Sequence, residues 1–130
     1  MLAALAFVPC TAFAQGWQDN YQGVMLQGFS WDSYVDTQWS NLESQSDELS
    51  KYFSLIWVPQ SGNCNSSWNV MGYMPVYYFD QNSSFGTEAQ LRSMISTFKA
   101  KGTGIIADVV INHRNNLGAN GSWVDYPAET

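Results

Sequence analysis

Positive charge is scarce in this chain. Five Lys and Arg stand against eleven Asp and Glu, for a net charge of −6 over 130 residues. So few cations form no basic stripe, which excludes the electrostatic footprint of a nucleic-acid binder. Cysteine is nearly absent as well. Cys10 lies in an N-terminal apolar segment, and Cys64 is alone after it. A lone thiol makes no internal disulfide, and no Cys/His cluster suggests zinc. His113 is the only histidine. No apolar run reaches the roughly 20 residues of a membrane-spanning helix. No internal repeat or low-complexity tract interrupts the chain. No glycine-rich phosphate loop follows the first strand-like segment, where the bulky stretch Gly28 to Tyr34 stands instead. That argues against a nucleotide-binding doubly wound sheet.

Aromatic residues are plentiful at 15%, with six Trp and seven Tyr, while charged residues make up only 12%. Such a composition is globular rather than disordered. It suits neutral polar ligands such as sugars, against which aromatic faces stack, although aromatics also serve as plain core. Residues 1–14 stand apart: an apolar stretch from Leu2 to Val8 ends in Ala12-Phe13-Ala14, an A-x-A cleavage pattern. This reads as a secretory signal removed after Ala14, taking Cys10 with it, although the usual Lys or Arg near its start is missing. The expected location is secreted or periplasmic.

After Gln15 the pattern is strand, helix, strand, helix, strand. Gly23 to Phe29 forms the first strand. A helix over roughly Gln38 to Phe53 turns Trp39, Leu42, Ser46, Leu49 and Phe53 inward at spacings of three and four, with Asp36 or Thr37 as its cap. Leu55 to Pro59 is a short buried strand that proline stops. Thr87 and Gln90 make a capping box for a second helix, whose inner face is Leu91, Met94, Ile95 and Phe98. Lys99 and Lys101 suit its last turn and Gly102 ends it. Ile105 to Val110 is the third strand. Apolar strands separated by amphipathic helices mean a parallel sheet under helices, with ligands at the carboxyl ends of the strands. The long polar segment from Gln60 to Gly86 is of the kind that carries function.

The run Ile105 to Ile111 is apolar except for Asp108, and Asn112-His113-Arg114 follow it. A carboxylate in an apolar strand costs several kcal/mol unless it is paired or hydrogen-bonded. Asp108 is therefore either a structural acid or part of a site, with an Arg, a metal or several donors beside it. Asn112 and His113 at the strand's end strengthen the second reading. Tyr73 arrives from the loop after the second strand, and Gln27 and Trp31 from the end of the first.

Asp108 to His113 resembles the D-x-x-x-N-H signature at the third barrel strand of the α-amylase superfamily, glycoside hydrolase family thirteen. The segments "LQGFSWDS", "GYMP", "FGTEAQLRSMI" and "ADVVINHR" resemble successive segments of plant-type amylases and their bacterial relatives, in order and at about their spacing. Gln60 to Met71 departs from the plant pattern, being longer and without its prolines. The resemblance implies an α/β fold in which residues 15–114 are the N-terminal part of a (β/α)8 barrel and residues 115–130 begin its inserted domain. A whole barrel needs about 250 residues, so the chain is expected to be part of a longer protein, a monomer when complete. The implied activity is retaining hydrolysis of internal α-1,4 bonds in starch- or glycogen-type glucans. Another activity of the family, of transglycosidase or branching type, and a non-catalytic starch-binding barrel are the alternatives.

The resemblance also assigns roles. Tyr73 stacks on the sugar next to the cleaved bond, and His113 hydrogen-bonds that same sugar. Asn112 is one ligand of a structural calcium. Asp108 is a supporting acid, not the nucleophile. Gln27 and Trp31 stand near the pocket. The nucleophile and general acid belong to later strands, and no residue here is assigned to either role.

Overall fold

A computed structural model describes residues 21–64 and 71–115. Residues 1–14, expected as a signal, and all but the first residue of 115–130 lie outside the described residues. Three strands, β1 (Met25–Gln27), β2 (Leu55–Val58) and β3 (Gly104–Ala107), form a parallel sheet in the order β1-β2-β3. Met25 pairs with Leu55, and Leu55 with Gly104. Between the strands run α1 (Ser33–Asp36), α2 (Trp39–Ser44) and α3 (Ser46–Leu49), then α4 (Glu88–Ala100).

The central strand alternates. Ile56 and Val58 are buried, while Leu55 and Trp57 are half-buried on the opposite face. This is the period of two expected of a sheet with one face covered. Ile56 and Val58 join Trp39, Leu42, Phe85, Leu91, Met94 and Phe98 in one core. The helical spacing of Leu91, Met94 and Phe98 puts all three on the buried face of α4.

The second helix begins as the sequence dictates. Gln90 N–H donates to the Thr87 hydroxyl at 3.3 Å, and Thr87 N–H donates to Gln90 Oε1 at 2.8 Å. Gly102, at φ +82°, turns the chain into β3. Lys101, just past the helix, pairs with Asp47 at 2.9 Å. Ile95 is less buried than its spacing implies, because it sits at the rim of the face, 37% exposed.

Other expectations are corrected, and β1 is shorter than the Gly23 to Phe29 expected. The first long helix is broken at Gln45 into α2 and α3 and ends at Leu49. Its cap is Gln38, without a side-chain bond. Thr37 hydroxyl instead donates to Asp36 at 3.0 Å, and the Trp39 N–H is satisfied by the Phe85 carbonyl at 2.9 Å. A tertiary contact has replaced a local cap. The third strand stops at Ala107, one residue short of Asp108. The Asp108 N–H still donates to the Val58 carbonyl at 3.1 Å, but Val109 and Ile111 are exposed beyond it. Asp108 thus stands half-buried at the lip of the sheet rather than inside a strand.

Candidate functional site

The carboxyl ends of the strands carry a small mesh centred on Tyr73. The Tyr73 hydroxyl donates to Asp108 Oδ2 at 3.2 Å. Its ring stacks against Trp31, with centroids 6.4 Å apart and planes 12° from parallel. Its carbonyl oxygen lies 2.8 Å from His113 Nε2. A carbonyl only accepts, so that nitrogen carries a proton, and Nδ1 is the ring nitrogen left to face a ligand. Trp31 from one place in the chain, and Asp108 and His113 from another, therefore meet at Tyr73.

Burial, and then the negative charge and hydrogen bond of Asp108, push the Tyr73 hydroxyl up to about 12. At neutral pH it is a proton donor in a hydrogen bond and no acid or base. The sequence called for a partner that would make the carboxylate of Asp108 tolerable, and the phenol is one such partner. An open cleft of about 490 Å³ adjoins Asp108, with Tyr78, Phe79, Val109 and Ile111 among its walls. Trp31 is 72% exposed, so one aromatic face of the mesh is open to a ligand.

A second set of contacts holds His113 in place. The Tyr78 hydroxyl donates to the His113 carbonyl at 3.2 Å. Arg114 Nε donates to the Val76 carbonyl at 2.8 Å, and its guanidinium lies 5.1 Å from the centre of the Tyr78 ring. Asn115 N–H donates to the Pro75 carbonyl at 2.8 Å. The tail of β3 is thereby strapped to residues 73–78. Sequence reasoning did not single out Tyr78, Arg114 or Asn115. The crowding of aromatics after Pro75 was the available signal.

Two candidates stand apart. Gln27 is exposed, and its amide donates to the Phe29 carbonyl at 3.1 Å. It borders a shallow depression with Leu26, Thr37, Leu42 and Gln45, away from Tyr73. Asn112 is exposed at the end of the chain leaving β3. Among the described residues no group of three or more His, Cys, Asp or Glu could hold a metal ion.

No family model matches the chain. Curated relatives do. The chain is 30% identical over 127 residues to alpha-amylase 3, chloroplastic, of Arabidopsis thaliana, covering 95% of this chain and 14% of that protein. It is 31% identical over 136 aligned positions to the alpha-amylase of Geobacillus stearothermophilus, covering 96% and 24%. Among solved structures, the alpha-amylase I and maltohexaose complex from Eisenia fetida superposes with a TM-score of 0.62 at 25% identity, over 74% of this chain and 19% of that one. The chain thus spans less than a third of each of these relatives, and its small parallel α/β unit matches the N-terminal part of the amylase barrel. By sequence and by fold alike, the chain belongs to the α-amylase superfamily.

Proposed function

We propose that this chain supplies one wall of the substrate cleft of a glycoside hydrolase that cleaves internal α-1,4 bonds of starch- or glycogen-type glucans. The observation that carries the reading is the Tyr73 mesh: a phenol locked by Asp108, stacked on an exposed Trp31, with His113 held beside it. Apolar C–H faces of a glucose ring pack on such an aromatic surface, while the free nitrogen of His113 takes a sugar hydroxyl. The relatives' names, and the maltohexaose bound to a protein of this fold, support the substrate class.

In a retaining glycosidase a nucleophile and a general acid flank the scissile bond with their carboxyl groups about 5–5.5 Å apart. Asp108 has the Tyr73 hydroxyl as its partner and serves as a supporting acid. The residues that do the bond chemistry belong to later strands of the barrel. The same reading gives residues 1–14 as a secretory signal and the whole protein as a secreted or periplasmic monomer. It makes Asn112 one calcium ligand among oxygens that lie outside the described residues. No helix among the described residues is long and apolar enough to cross a membrane.

Release of reducing ends from soluble starch tests the reading. The full-length protein is expected to turn over starch and to lose most of its kcat/KM on Tyr73→Ala. The 130-residue chain alone is expected to show no turnover. Turnover by the chain alone, or an unaffected Tyr73→Ala protein, contradicts it.

A further inference from the structure

Gln60 is the first polar residue after β2, beyond Val58 and Pro59, and it is buried at 6% exposure. A buried primary amide is costly unless both of its ends find partners. Both do. Oε1 accepts from the Gly62 N–H, and Nε2 donates to the Gly72 carbonyl at 3.2 Å. The amide therefore bolts the point where the chain leaves β2 to the point where it returns. The return is tight: Gly72 sits at φ +89°, and a Cβ there would lie 2.5 Å from the Gln60 carbonyl oxygen. Any other residue is excluded by both conformation and space. The residue after Gly72 is Tyr73.

We propose that Gln60 is the positioning residue for Tyr73, setting the height and angle at which the phenol meets Trp31 and Asp108. The proposal rests on the reading of Tyr73 as a sugar platform. The chemistry requires glutamine in particular. Its two amide ends must present one acceptor and one donor in opposite directions, to an N–H on one side and a C=O on the other. Glutamate keeps the acceptor and has the same shape, but turns a second oxygen towards the Gly72 carbonyl. Methionine fills the volume and makes neither bond.

The test uses the full-length protein with soluble starch, reading KM and kcat separately. At neutral pH, Gln60→Glu is expected to raise KM about tenfold while kcat changes less, as for a lost hydrogen bond that leaves a buried acceptor unpaired. Burial favours the neutral carboxyl. On acidification the new side chain therefore regains an O–H donor, and its KM relative to wild type falls back towards one. Gln60→Met shows the same rise without recovery. In a Tyr73→Ala background, Gln60→Glu adds nothing. An unchanged KM in Gln60→Met, a Gln60→Glu defect that acidification does not relieve, or an additive effect in the Tyr73→Ala background overturns the proposal.

If Tyr73→Ala alone leaves KM unchanged, the sugar-platform reading fails, and the crystal structure of Gln60→Met decides the positioning role. A Tyr73 ring displaced from Trp31 supports it, and an undisturbed ring overturns it. If the variants do not fold, side-chain amide exchange in the wild-type protein decides. Slow exchange of the Gln60 amide is expected, and the rate of a free amide overturns the proposal.

Discussion

The sheet with its helical cover and the wall at the strands' carboxyl ends are built by different physics. In the first region, Ile56, Val58, Met94 and Phe98 are almost wholly removed from water, and non-directional burial holds them. In the second, few large side chains are fully buried, and directional bonds link Tyr73, Asp108, His113, Tyr78 and Arg114. The first region sets whether the chain folds. The second sets where a ligand would meet it. Damage should therefore separate cleanly into lost stability and lost geometry.

The largest effect is expected in the core. Phe98 is fully buried in the last turn of α4, so Phe98→Ala should cost about 3–5 kcal/mol. Against the usual margin of roughly 5–15 kcal/mol, that is a large drop in the thermal midpoint of the full-length protein. A core that absorbs the change without such a drop would break the division between the two regions. Next comes Thr87→Ala. It removes the hydroxyl that accepts from the Gln90 N–H and should cost about 1 kcal/mol, read by the same thermal scan. Tyr73→Phe reverses the pattern. It deletes only the hydroxyl bonded to Asp108, so stability should move by about 0.5–1.5 kcal/mol while starch KM rises. A variant with wild-type KM would blur the comparison.

The second helix was legible in the sequence almost to the residue. Thr87 and Gln90 write its start locally, and Gly102 its end, so no distant contact was needed. The parallel pairing of the strands followed from apolar strands alternating with helices. The third strand was read too long because Val109 to Ile111 are as apolar as Ile105 and Ile106. Apolarity alone does not tell a paired strand from an exposed tail. The start of α2 was misread because its first donor is satisfied by Phe85, which lies far along the chain. Asp108 and His113 were picked out because a carboxylate interrupts an apolar run that ends in polar residues, and the resemblance then implied roles for them and for Tyr73. The stacking of Trp31 on Tyr73 and the amide of Gln60 are tertiary facts with no local signature.

A smaller effect concerns pH. The side chain of Asn63 and the backbone and side chain of Asn82 all donate to Asp80, holding its carboxyl below the usual Asp value of 3.8. A depressed carboxyl stabilises the fold above the unfolded-state value, and the contribution disappears as pH falls through the lower folded-state value. Amide exchange around residues 80–82 should therefore quicken only in acid below the ordinary Asp range, while the amides of α4 stay protected. The smallest effect is expected on the outer surface. Lys51 and Glu48 pair at 2.6 Å in full contact with water, where such pairs contribute little. Lys51→Ala should leave both the unfolding midpoint and starch KM unchanged.

The most direct measurement is a crystal structure of the full-length protein with maltohexaose. One glucose ring should lie on the aromatic surface of Tyr73 and Trp31, with His113 within hydrogen-bond distance of a hydroxyl and Asp108 still bonded to the phenol. A sugar bound elsewhere, with these four side chains untouched, would contradict the account.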